Sequence, residues 1–146
     1  MKHSGHIDIN KPVDQVTAIF ANPEYLKEYQ DGFVDKKLIN GTAQQPGAKS
    51  MMYYEHGGRK MELEETIVAN DLPDNFEAFY HHKHMDNTMV ARFEALDPQT
   101  TRYHYAYHYT RINWIMPKLM AILFPSMYSK PAEKWLQQFK EFVEKQ

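Results

Sequence analysis

The spacing of hydrophobic and polar positions changes several times along the chain, and each change predicts an element. In "GHIDIN", residues 5–10, Ile7 and Ile9 alternate with His6, Asp8 and Asn10, the period of two that marks a half-buried strand. In "KPVDQVTAIFANPEYLKEYQ" the spacing becomes helical. Val13, Val16, Ile19 and Phe20 form one stripe behind Pro12, whose fixed φ suits a first helical turn. Asn22-Pro23 ends that helix, because a residue before proline avoids helical backbone. Asn22 is also a good N-cap for a second short helix carrying Tyr25, Leu26 and Tyr29.

From 33 to 110 the pattern returns to strands: "FVDKKLIN", "AKSMMYYEH", "RKMELEETIVAN", "NFEAFYHHKHM", "TMVARFEAL" and "TRYHYAYHYT". The breaks carry turn chemistry at Gly57-Gly58, Pro73-Asp74-Asn75, Asp86-Asn87 and Asp97-Pro98-Gln99. Such short links predict an antiparallel meander. Segment 112–125, "INWIMPKLMAILFP", is apolar and broken by Pro117 and Pro125. From about Pro131 an amphipathic helix runs to the C-terminus. Its apolar stripe is Ala132, Trp135, Leu136, Phe139, Phe142 and Val143.

A strand, two short helices, six more strands and a long helix give an α+β class, with one amphipathic helix to cover the apolar face of a seven-stranded sheet. This order resembles the helix-grip superfamily related to START domains and the birch pollen allergen, also called SRPBCC. The resemblance spans the chain and rests on "IDINKPVDQVTAIFANPEYLKEYQ", "PGAKSMMYYEHGGRKMELEETIVANDLPDNF" and "WLQQFKEFVE". It is similar in pattern to small bacterial members of the polyketide cyclase and lipid-transport kind. The resemblance implies a curved sheet gripping the C-terminal helix, with a pocket between them for a lipid, sterol, polyketide or other small hydrophobic molecule. Some members of the superfamily are cyclases or dehydratases, and others are co-chaperones. Fold alone does not choose among these.

Strand parity selects the pocket residues. If Asp97, Pro98 and Gln99 form a three-residue loop, Phe93 lies beside Tyr103, Ala91 beside Tyr105 and Met89 beside Tyr107. The tyrosines of "TRYHYAYHYT" then face inward, while His104 and His108 face out. A four-residue loop would reverse the faces. The first register gathers the apolar bodies on one side and is the expected one. On the third strand of the meander, Met61, Leu63, Glu65 and Ile67 share the buried face, so Glu65 is a carboxylate on an apolar surface. Burial raises the pKa of such a group, unless a Lys, Arg or Tyr satisfies it there. A two-residue Asp86-Asn87 turn would put Tyr80 beside Phe93 and turn His82 and His84 inward.

The predicted ligand-binding set is Met52, Tyr54, Met61, Leu63, Glu65, Phe93, Tyr103, Tyr105, Tyr107, Met116, Met120, Trp135 and Phe139. Glu65 and His82 are the candidate catalytic groups. Composition supports such a lining: aromatic residues make up 14% of the 146, with ten Tyr and nine Met, and Met fills irregular space. The length predicts a single domain over 1–146. A net charge of -2 gives no basic footprint for nucleic acid. The lack of cysteine removes disulfides and thiol catalysis. "HHKH", 81–84, tempts as a metal site, but His81 points away from His82 and His84 in a strand, so no metal is expected. No phosphate loop, GxSxG or HExxH occurs, and no cofactor is expected.

Three functions follow as expectations. The first is a non-catalytic binder of a small hydrophobic or aromatic molecule. The second is a cyclase, aromatase or dehydratase using Glu65, His82 or a Tyr for acid–base chemistry. The third is a co-chaperone-like protein-interaction module using the 112–125 surface, a segment that is also the candidate for a homodimer or transient membrane contact. The expected setting is cytoplasmic, with no transmembrane segment. A cavity under about 100 Å³ would sink both pocket readings as framed and favour the interaction module, since ligand pockets run to roughly 300–1,000 Å³.

Overall fold

The computed structural model describes residues 2–113 and 126–146, with side chains of the last segment from Ala132 onward. Strand β1 spans Lys2–Ile9. Helix α1 spans Val13–Ala21, a 3₁₀ turn covers Pro23–Tyr25, and α2 spans Leu26–Tyr29. Six strands follow: β2 Phe33–Asn40, β3 Lys49–His56, β4 Arg59–Asp71, β5 Asn75–His81, β6 Met85–Asp97 and β7 Thr100–Ile112. Helix α3, Ser126–Glu144, closes the chain. It begins earlier than the expected start near Pro131. Asn22 acts as the sequence implies, its side-chain oxygen accepting from the Glu24 N–H at 3.0 Å.

All seven strands form one antiparallel sheet in the order β1-β7-β6-β5-β4-β3-β2. The fold is α+β: the curved sheet holds the C-terminal helix against its concave face. Leu136, Phe139 and Val143 of α3 are buried, with Val16 and Ile19 of α1 and with Ile67, Ala78, Ala91 and Phe93 of the sheet. Phe20 supplies the aromatic hinge of this core, meeting Phe76, Phe93, Tyr103 and Phe139 edge-on.

Two turns differ from the expected ones. The β6–β7 turn holds Pro98 and Gln99 alone, because Asp97 pairs with Thr100. A register shift between Ala95 and Asp97 leaves Leu96 without a partner. That bulge restores the expected pairing, Phe93 with Tyr103, Ala91 with Tyr105 and Met89 with Tyr107. The tyrosines therefore face inward. His104 sits on the outer face, its Nε2 3.0 Å from Glu94 Oε1, next to the Arg102–Asp8 pair.

The β5–β6 turn is a clearer correction. His82 and Met85 exchange backbone hydrogen bonds of 2.9 and 3.2 Å, so Lys83-His84 is the turn and Asp86-Asn87 belongs to β6. Tyr80 then pairs with Asn87 rather than lying beside Phe93. The physical reason is non-local: Arg111 on β7 grips the Asp86 carboxylate through Nε at 2.7 Å and through its second nitrogen at 2.9 Å. An Asp held this way serves the strand rather than the turn.

Gly32 joins α2 to β2 at φ +76, and a Cβ there would fall 2.7 Å from the Glu55 carbonyl and 2.5 Å from the His56 ring. Gly32→Ala is expected to cost about 1–3 kcal/mol through strain and the clash together. Gly58→Ala, at φ +80 with nothing within 4 Å of its Cβ, should lose only the conformational part, about 1 kcal/mol. Urea unfolding of both variants isolates the steric difference. Equal losses would show that β3 yields freely at Glu55.

Candidate functional site

The concave face of the sheet and the three helices enclose a cavity of about 90 Å³. Met52, Phe76, Met89, Tyr103 and Tyr107 line the sheet side; Phe20, Leu26, Tyr29, Trp135, Leu136 and Phe139 line the helical side. Gln30, Lys36, Gln44, Glu65 and Tyr80 are its polar members. At about 90 Å³ the cavity falls below the size set above and counts against both pocket readings at lipid, sterol or polyketide size; the segment of the interaction reading lies, after Asn113, outside the described residues.

The polar centre is built from three strands. Glu65 of β4 is 4% exposed. Lys36 Nζ of β2 lies 2.7 Å from its Oε1, and the Tyr80 hydroxyl of β5 donates to its Oε2 at 2.8 Å. Tyr80 reaches Glu65 because the two are register partners. Lys36 arrives through a bulge. Phe33 pairs with inward-facing Tyr54, and strict alternation would turn Lys36 out. A register shift between Phe33 and Asp35 flips the parity and sets Lys36 opposite Met52, on the inner face. The Gln44 carboxamide oxygen lies 3.4 Å from Lys36 Nζ, while its nitrogen donates to the Ala21 carbonyl at 2.8 Å.

Five phenols surround this pair. Burial pushes the hydroxyls of Tyr29, Tyr54, Tyr80, Tyr103 and Tyr107 well above the ordinary tyrosine pKa. The negative charge of Glu65 adds to the shift at Tyr29, Tyr54 and Tyr80. They are hydrogen-bond donors throughout the physiological range and not bases. Tyr54 donates to Gln30 Oε1 at 2.8 Å and stacks on Trp135, ring centroids 5.7 Å apart. The arrangement can hold a small molecule between apolar walls and aim donors at it.

Of the residues expected from the sequence, Met52, Glu65, Tyr103, Tyr107, Trp135 and Phe139 line the cavity together. Phe93 is buried behind Tyr103 in the core, ring centroids 4.5 Å apart. Tyr54 packs against the wall, but does not line the cavity. Met61, with Tyr54, lines a second and more open pocket of about 390 Å³ along β2, β3 and β4 instead, with Asp35, Lys37, Glu55, Lys60 and Glu62. Leu63 is half-buried and outside the lining. Tyr105 leans to the β1 edge, where a Cβ on Gly5 would fall 2.6 Å from its hydroxyl. Met116 and Met120 lie outside the described residues, as does all of 112–125 after Asn113. The helix residues Phe20, Leu26 and Tyr29, together with Gln30, Lys36 and Gln44, were not foreseen as lining. Tyr29 was readable as part of the apolar stripe of α2; for Lys36 the only signal was that a buried Glu65 needs a cation.

His82 lies apart from Glu65, the other candidate catalytic group, which lines the cavity. It sits at the end of the β5–β6 turn, its Nδ1 accepting from the His84 N–H at 3.2 Å, and is not part of the cavity lining. Burial lowers its pKa, and the neighbouring His84, Lys83, His81 and Arg111 add to this. Among the described residues, no three His, Asp or Glu side chains are arranged to hold a metal ion.

Asp86 dominates the electrostatics of that turn. The Arg111 hydrogen bonds, seconded by His81 at 2.6 Å, hold its carboxyl at about 2. A folded-state pKa below the unfolded value contributes stability above the unfolded value and loses it as pH falls through the folded one. Asp86→Asn should therefore cost about 1 kcal/mol at neutral pH, allowing for solvent screening. The deficit should shrink between about pH 4 and pH 2. A pH series of denaturation curves for both proteins checks this; a deficit independent of pH would assign the loss to shape instead of charge.

Neither a protein-family model nor a curated protein matches the chain. Solved structures do, with low sequence identity. A START superfamily protein from Mycobacterium smegmatis superposes with a TM-score of 0.81 at 10% identity, covering 99% of this chain and 97% of that one. The Zhui aromatase/cyclase from a Streptomyces species gives 0.80 at 8% identity over 99% and 93%. A Thermus thermophilus protein gives 0.77 at 17% identity over 98% and 97%. The chain thus has the helix-grip fold of the START-related, SRPBCC proteins. No helix among the described residues is long and apolar enough to cross a membrane.

Proposed function

With the helix-grip fold as premise, we propose that this chain binds a small molecule, of about one ring in size, between its sheet and C-terminal helix. The observation that carries this reading is the Lys36–Glu65–Tyr80 cluster on the wall of an otherwise largely apolar cavity. A buried ion pair is a poor route to stability, because desolvation offsets most of its attraction. A fixed polar group among apolar walls is, however, how ligand sites obtain orientation. The volume of about 90 Å³ is below lipid or sterol size, which is why the proposal is for a guest of about one ring. Met52 and Met89 are the lining side chains best able to adapt to a guest.

The Streptomyces neighbour is an aromatase/cyclase. A cyclase-type step in this chain would use Glu65 for proton transfer. Both Glu65 oxygens are already engaged, by Lys36 and Tyr80, which favours binding over catalysis. Native mass spectrometry of protein purified from cells tests the proposal. A retained mass of small-molecule size is expected, lost in a Met52→Trp variant that fills the cavity. Protein that emerges with nothing bound, and whose melting temperature no fragment library moves, would overturn it.

A further inference from the structure

Tyr29, Tyr103 and Tyr107 line the cavity, and the residues of the first two are 8% and 4% exposed. Their hydroxyls have no hydrogen-bond partner among the described residues. That sets them apart from Tyr54 and Tyr80, which donate to Gln30 and Glu65. They also lie near enough for the charge state of one to influence another, Tyr103 with Tyr107 and Tyr29, and Tyr29 with Tyr107. Hydroxyls that line one small cavity without a protein partner are a recognition surface open to a guest.

Their chemistry limits the occupant. A protonated phenol can accept as well as donate, but its own proton needs an acceptor. The main acceptor in the cavity, Glu65, is occupied on both oxygens. The positive charge of Lys36 is already balanced by Glu65 at 2.7 Å, so a charged guest would add an unpaired charge to a low-dielectric space. A hydrocarbon guest would strip the hydroxyls of water and leave them unpaired, which is costly. We propose that the occupant is a small uncharged carbonyl compound, of one ring or fewer, whose oxygen accepts hydrogen bonds from two of the three phenols Tyr29, Tyr103 and Tyr107. This inference rests on the binding function above and names its ligand class.

Two probes of nearly equal shape separate the ideas: cyclohexanone labelled with ¹³C at the carbonyl, and methylenecyclohexane. Dissociation constants for both are measured by NMR titration on the wild type and on Tyr29→Phe/Tyr103→Phe/Tyr107→Phe, which keeps every ring. The ratio of ketone to hydrocarbon affinity should fall about tenfold or more in the triple variant. The bound carbonyl resonance should lie downfield of its position in hexane for the wild type and move back toward it in the variant. If the triple variant does not fold, Tyr107→Phe alone should show a smaller shift in the same direction. An unchanged affinity ratio, or a wild-type carbonyl resonance at the hexane position, would overturn the carbonyl assignment while leaving small-molecule binding intact. Binding of neither probe would overturn both.

Discussion

Removing the Lys36 ammonium group is expected to destabilise the protein by about 3 kcal/mol, because it leaves Glu65 charged and buried with only the Tyr80 hydroxyl beside it. The lysine side chain is 12% exposed and the carboxylate 5%, so water cannot readily replace the lost partner. Lys36→Met combined with Glu65→Gln should recover at least half of that loss, since the cost lies in the orphaned charge more than in the pair itself. Urea denaturation of Lys36→Met, Glu65→Gln and the double variant gives the coupling directly. Additive losses would mean that the 2.7 Å contact contributes nothing the rest of the cavity does not already supply. The double variant also bears on function: it should remain folded yet lose the polar anchor of the cavity.

How much of this site was legible beforehand depends on whether a residue's partner was local. The inward tyrosine face of β7 was read by matching its alternation to the apolar bodies of Met89, Ala91 and Phe93, and it survived an error in the turn. The loop after Leu96 holds two residues rather than three, but the bulge at Leu96 makes up the difference, leaving Phe93 opposite Tyr103. The hydrophobic pattern fixed the register more firmly than the turn did, because a slip would have exposed Met89, Ala91 and Phe93 together.

Lys36 was hidden for the opposite reason. "VDKK" on an edge strand reads as a solvated face, and only the bulge after Phe33 turns Lys36 inward. Nothing in the local sequence marks that bulge; the need for it comes from Glu65, nearly thirty residues later. His82 shows the same limit. Asp86-Asn87 carries a good turn signal, yet Arg111, 25 residues away, recruits Asp86 into β6. The helical wall of the cavity, Phe20, Leu26 and Tyr29, was visible as apolar stripes. Where those stripes meet the sheet is set by packing, which periodicity does not encode.

Phe139→Ala should have the largest effect on stability, a loss of about 3–5 kcal/mol. Phe139 is 2% exposed and stands edge-on to Tyr29, Tyr103 and Phe20 at 4.8, 5.8 and 6.2 Å. It also lines the existing 90 Å³ cavity, so the space it vacates joins a void instead of closing over. Enlarged apolar cavities of roughly 150 Å³ stay dry and admit benzene. Toluene at a concentration well above its dissociation constant should therefore raise the melting temperature of Phe139→Ala by mass action. Val143→Ala supplies the comparison: Val143 is fully buried on the same helix but does not line the cavity, so toluene should leave it unmoved. Rescue of neither variant would show that the C-terminal helix sinks into the sheet when Phe139 is cut back. In that case the grip on the helix, rather than rigid walls, sets the cavity size.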